Sequence, residues 1–135
     1  MRSIATGEAF ALMKKGVVYL DVRTEQEFEA GHPEGAWNLS VADPDFAVVA
    51  FACFDAAAPI IVGCRSGVRS VVAAEMLESE GFAEVYELRA GWDGARDAFG
   101  RVTEIGWRKT GLPCGSGPSP DRGSEALRAR RAPAR

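Results

Sequence analysis

The stretch Pro59-Ile60-Ile61-Val62-Gly63-Cys64-Arg65-Ser66-Gly67-Val68-Arg69-Ser70 changes character twice. Its apolar, β-branched start reads as a strand buried on both faces. That strand runs directly into a cysteine, and a short glycine-containing loop, Cys64–Val68, follows. From Arg69 the spacing turns helical: Val72/Met76 and Ala73/Leu77 lie four apart, and Gly81 stops the helix after Glu80. A strand–loop–helix order gathers loop N–H groups and a helix N-terminus around the cysteine, an anion-binding arrangement. Arg65 and Arg69 add two formal charges. All of these favour thiolate over thiol, which makes Cys64 a candidate nucleophile. A buried, inert cysteine at a strand end is the simpler alternative, and the two arginines and the loop glycine argue against it.

Outward from this segment, strands alternate with helices. Val17–Val22 reads as a second buried strand, and Thr24 with Glu27 forms a capping box that opens a short helix. Thr6 is placed to cap a helix running to Lys15, with Gly16 as its stop. Ala36–Leu39 is a short strand, and Asp43-Pro44 opens a helix through Ala52. Val85–Leu88 is another strand, and Asp97–Lys109 reads as helical around Gly100. The alternation predicts an α/β fold with a mainly parallel sheet covered on both faces. In such a sheet Asp21 and Arg23 share the carboxyl edge with Cys64. They either help bind an anion there or form an Asp–Arg network that holds the turn.

A chain of 135 residues, 47% hydrophobic and 26% charged, has the size and balance of one globular domain without disulfide staples. No apolar run reaches the length of a membrane span, and Glu8 and Gly7 come too early for a signal peptide. A cytoplasmic, reducing setting is therefore expected. The net charge of −3 includes a basic end, with Arg122, Arg128, Arg130, Arg131 and Arg135 against Asp121 and Glu125. The remainder is acidic, so neither nucleic acid nor a membrane is an expected partner. The end itself, residues 114–135, is rich in Arg, Pro and Gly and reads as a disordered tail.

Three stretches in order resemble the rhodanese-like domains, specifically single-domain sulfurtransferases of the thiosulfate sulfurtransferase type. Leu20-Asp21-Val22-Arg23, Glu27-Phe28 and Gly31–Asn38 resemble the N-terminal signature, with Pro33 where Ile is usual. Cys64-Arg65-Ser66-Gly67-Val68-Arg69-Ser70 resembles the active-site loop, and Gly106-Trp107 with Thr110–Pro113 the closing segment. The resemblance implies a domain over residues 1–113, with a mainly parallel five-stranded central sheet between helices. It further implies a reaction without a cofactor. The Cys64 thiolate takes a sulfane sulfur from thiosulfate or a persulfide donor and passes it to cyanide or a thiol. Arg65, Ser66, Gly67, Val68, Arg69 and Ser70 would bind the anionic donor, supported by Asp21 and Arg23. In the family a six-residue loop goes with sulfur transfer and a seven-residue loop with phosphatase or arsenate reductase activity; Cys64 to Arg69 is six. An alternative reading keeps the Cys64 persulfide but makes the domain a carrier, loaded by a sulfur-relay protein without turnover of free thiosulfate.

The remaining candidates read as structural. His32 is the sole histidine and fits a loop-fixing hydrogen bond better than a base. The three cysteines lack metal-ligand spacing, so no metal site is expected. Trp37, Trp92 and Trp107 read as packing, and Cys53 as core. Cys114, near the domain's end, is either spare or a resolving thiol for an oxidised Cys64.

Overall fold

The computed structural model describes residues 1–131. In chain order its elements are β1 (Arg2–Ile4), α1 (Thr6–Lys14), β2 (Val18–Asp21), α2 (Glu25–Ala30), β3 (His32–Pro33) and β4 (Trp37–Asn38). Then come α3 (Phe46–Cys53), β5 (Ile60–Gly63), α4 (Arg69–Glu80), β6 (Val85–Leu88), β7 (Gly94–Arg96) and β8 (Val102–Ile105). A 3-10 turn at Trp107–Lys109, β9 (Cys114–Gly115) and α5 (Ser124–Arg131) complete the order.

Five strands form the central sheet in the order β1-β6-β5-β2-β4, every pair parallel. The apolar runs occupy its centre because a strand flanked on both sides has both faces to bury. Leu20, Val22, Ile60 and Val62 point to one face, where α3 and α4 add Phe46, Val49, Ala73 and Leu77. Tyr19, Ile61 and Leu88 point to the other, against Ala9, Phe28 and Trp107. This is the α/β architecture expected, with the carboxyl ends of β2, β5 and β6 adjacent. Among the described residues no helix is long and apolar enough to cross a membrane.

Four expectations are corrected. The segment 97–109 is not a helix: β7 and β8 form an antiparallel hairpin. The Asp97 carboxylate accepts the N–H groups of Phe99 and Arg101, and Gly100 has φ +78°, so the chain turns back instead of winding on. The third helix starts at Phe46, because the carboxylates of Asp43 and Asp45 hold Arg128. Ala5 occupies the cap position of α1, and Thr6 lies buried inside its first turn. Finally, the tail is not disordered over 114–131. Its β9 pairs with β3, and Leu127 of α5 is fully buried in the core that includes Phe46, Val49 and Ala50. Three of the tail's arginines find partners. Arg122 and Arg130 lie over the Trp37 ring at 4.6 and 5.0 Å, and Arg128 reaches Asp43 at 2.8 Å. Residues 132–135 lie outside the described residues.

Candidate active site

Cys64 follows the last residue of the central strand β5, and its side chain is only 2% exposed. The loop closes over it at Gly67, whose N–H donates to Sγ at 3.1 Å. Gly67 is required there: its φ is +89°, and a Cβ would stand 2.6 Å from the Arg89 carbonyl oxygen. The first turn of α4 brings Ser70 beneath the sulfur, with Sγ to Oγ at 3.4 Å.

A second loop buttresses the first. Trp92 and Asp93 donate their N–H groups to the carbonyls of Cys64 and Arg65, each at 2.8 Å. This approach needs Gly91, where a Cβ would lie 2.7 Å from both of those oxygens. The Asp93 carboxylate takes Arg65 at 2.6 Å and Arg108 at 2.7 Å. Burial works to raise the Asp93 carboxyl, but the two guanidinium groups hold it below the usual carboxylate range.

Arg69 does not lean into the loop. It makes a bidentate pair with Glu27 of α2, at 2.7 and 2.9 Å. The same carboxylate completes the capping box with Thr24. Arg69 above all, and the Thr24 N–H after it, hold the Glu27 carboxyl down at about 2 against the penalty of burial.

Asp21 and Arg23 form the network that was one of the two readings. Both are buried, Arg23 Nη2 lies 2.7 Å from Asp21 Oδ2, and the same nitrogen donates to the Gly31 carbonyl at 2.7 Å. Trp92 covers the guanidinium at 5.4 Å, so its ring walls this network rather than an open pocket. His32 fixes its loop as expected: Nδ1 is 2.6 Å from the Phe28 carbonyl, and the ring stacks on Phe28 at 3.7 Å. Val68 is largely exposed at the rim, and Ser66 is half-buried. Cys53 packs against the core, with its sulfur 3.0 Å from the Leu127 carbonyl. Cys114 is exposed, though partial burial of its sulfur pushes the thiol up. Among the described residues no group of three His, Cys, Asp or Glu is placed to hold a metal ion.

The structure thus gathers Cys64, Gly67 and Ser70 and turns both loop arginines onto carboxylates. Glu27 is legible in the sequence only as the capping residue of α2 and part of the N-terminal signature, not as the partner of Arg69. Asp93 and Glu87 have no motif of their own, and of these two only Glu87 carries a signal, a carboxylate at an inward position of a buried strand.

The model of the Rhodanese-like domain family matches residues 6–98. The chain is 36% identical over 120 residues to thiosulfate sulfurtransferase 16, chloroplastic, of Arabidopsis thaliana, covering 82% of this chain and 90% of the relative. It is 38% identical over 93 residues to the thiosulfate sulfurtransferase GlpE of Pseudomonas fluorescens (strain SBW25), covering 68% and 82%. The crystal structure of Rv0390 from M. tuberculosis superposes with a TM-score of 0.74 at 28% identity, over 87% of this chain and 98% of that one. The family model over residues 6–98 and these relatives lead to one conclusion: the chain belongs to the family of rhodanese-like domains.

Proposed function

We propose that the protein is a sulfurtransferase of the thiosulfate type, with Cys64 as the residue that carries the sulfur. The observation that carries this reading is the Cys64 sulfur itself, buried at the end of the central strand and accepting the Gly67 N–H. Relatives named thiosulfate sulfurtransferase support it. The Cys64 thiolate attacks the outer sulfur of thiosulfate, a new S–S bond forms, and the old S–S bond breaks with its electron pair leaving on sulfite. The persulfide then bears the negative charge next to the Gly67 N–H, a donor positioned before the charge arrives. Cyanide or a thiolate attacks the terminal sulfur and returns Cys64 as thiolate. Arg65, exposed at the loop's edge, is the group we assign to the sulfonate end. A thiol-dependent cycle suits a reducing compartment, and we place the protein in the cytoplasm on that ground.

A second reading, a carrier domain loaded by a partner protein, draws on one observation. Both loop arginines already hold carboxylates, which leaves the loop less cationic than a dianionic donor would favour. Steady-state thiocyanate formation from thiosulfate and cyanide, set beside a single loading event from a persulfide donor, separates the two. Under the first reading wild type turns over continuously, and Cys64→Ser forms no thiocyanate while keeping its circular dichroism spectrum. Loading without turnover would favour the carrier.

A further inference from the structure

Glu87 is 2% exposed on β6, and neither step above uses it. Two hydroxyls hold its carboxylate. Ser70 Oγ donates to Oε1 at 2.8 Å, and Ser3 Oγ, on the neighbouring edge strand β1, donates to Oε2. Ser3 is the register partner of Glu87 in the β1–β6 pair, and it is exposed. On the inner side, the Cys64 thiol donates to Ser70 Oγ at 3.4 Å. One continuous line therefore runs from the buried sulfur through Ser70 and Glu87 to a hydroxyl at the surface.

We propose that Glu87 receives the Cys64 proton through Ser70 and exchanges it with solvent through Ser3. The donor count requires a choice. Ser70 has a single hydroxyl hydrogen, and with Cys64 as thiol that hydrogen points to Glu87. When Cys64 becomes a thiolate, its proton passes to Ser70 Oγ while the Ser70 hydrogen passes to Glu87. The result is a thiolate, an intact hydroxyl now free to donate to sulfur, and a neutral carboxylic acid. No electron changes owner, and the reverse shift reprotonates Cys64 once the sulfur has been handed on.

The other groups facing this pair leave that exchange to Glu87. Tyr19 on β2 feels both Cys64 and Glu87, and burial raises its phenol well above the ordinary value, so it stays neutral. Arg89 beyond β6 is held by Glu104, and Arg69 of α4 by Glu27, so both remain cations.

The proposal rests on Cys64 as the sulfur-carrying residue, but its test needs no sulfur transfer. The test is the rate of iodoacetamide alkylation of Cys64 against pH, read by mass spectrometry of the Cys64 peptide, for the full chain and Glu87→Gln. A shared proton gives wild type a shallow stretch, where the thiolate fraction barely changes because either group can hold the remaining proton. Glu87→Gln removes the second site, so its rate falls about tenfold per pH unit below its midpoint with no shallow stretch. Ser70→Ala, measured in the same way, should shorten the shallow stretch, because both sites remain but the hydroxyl that couples them is gone, and it serves if Glu87→Gln does not fold. Parallel single-proton profiles in wild type and variant would overturn the assignment and leave Glu87 a structural group. A shallow profile without any persulfide formation would instead fault the sulfur-transfer reading alone.

Discussion

Arg69 ends the cysteine loop and Glu27 belongs to α2, yet their side chains meet through two hydrogen bonds, 2.7 and 2.9 Å, across 42 residues of chain. The arginine read from sequence as a loop cation is thus a tie between two helix N-termini. Its charge reaches the sulfur already balanced by a carboxylate.

Arg69→Ala and Glu27→Gln should therefore be less than additive, because either one breaks the same tie. Glutamine keeps the capping hydrogen bonds, so Glu27→Gln isolates the ion pair. We expect it to cost up to about 1 kcal/mol at neutral pH. Arg69→Ala should cost more, since it strands the Glu27 carboxylate. The sign of the pH dependence follows from the lowered carboxyl. The stabilisation is complete above about 4.3, the unfolded value, and is lost as pH falls through about 2. Denaturation midpoints of wild type and Glu27→Gln should converge over that window, and a constant gap would contradict the pairing.

Arg65 is bound to Asp93 but remains 64% exposed, so the contact we propose for it with an anionic donor would be screened. Arg65→Ala should raise the KM for thiosulfate about three- to tenfold, with a smaller change in kcat, because the anion is held in the ground state too. Asp93→Asn should lower KM by freeing the guanidinium. Steady-state kinetics on both variants check this. An unaltered KM in Arg65→Ala would point away from thiosulfate and toward the carrier reading.

Leu127 of α5 is buried with no exposed surface in the core cluster that holds Phe46, Val49 and Ala50 of α3. Truncating it to alanine removes buried methyl groups and leaves a cavity, which should cost about 2–5 kcal/mol. A chain ending at Cys114 should lose at least as much, since Arg128 and its two carboxylates separate as well. Thermal denaturation of either variant provides the test, and an unchanged Tm would mean that α5 does not dock.

The legible parts of the sequence were those whose signal is local. Ile60–Gly63 announces a central strand by composition, Thr24 and Glu27 announce a cap by spacing, and Arg69–Glu80 announces a helix by period. What stayed hidden depends on long-range pairing. Arg2–Ile4 is a strand only because β6 offers it an edge, and two of its three side chains are polar. The hairpin of β7 and β8 hides behind an exposed Phe99 and a turn made by the Asp97 side chain. The tail looked unable to fold because composition weighs residues equally, whereas one buried leucine and three arginines with partners hold it down. The cysteine loop is legible as a strand–loop–helix segment, but the partners of its arginines are not, because Glu27 and Asp93 meet it only in three dimensions.

Cys64 itself, on the proposed reading, carries the transferred sulfur. Incubation of the full chain with thiosulfate, followed by mass spectrometry of its cysteine peptides, checks this. The Cys64 peptide should gain the mass of one sulfur atom, the Cys53 and Cys114 peptides should not, and cyanide should remove the gain. An unmodified Cys64 peptide after exposure to both thiosulfate and a persulfide donor would contradict it.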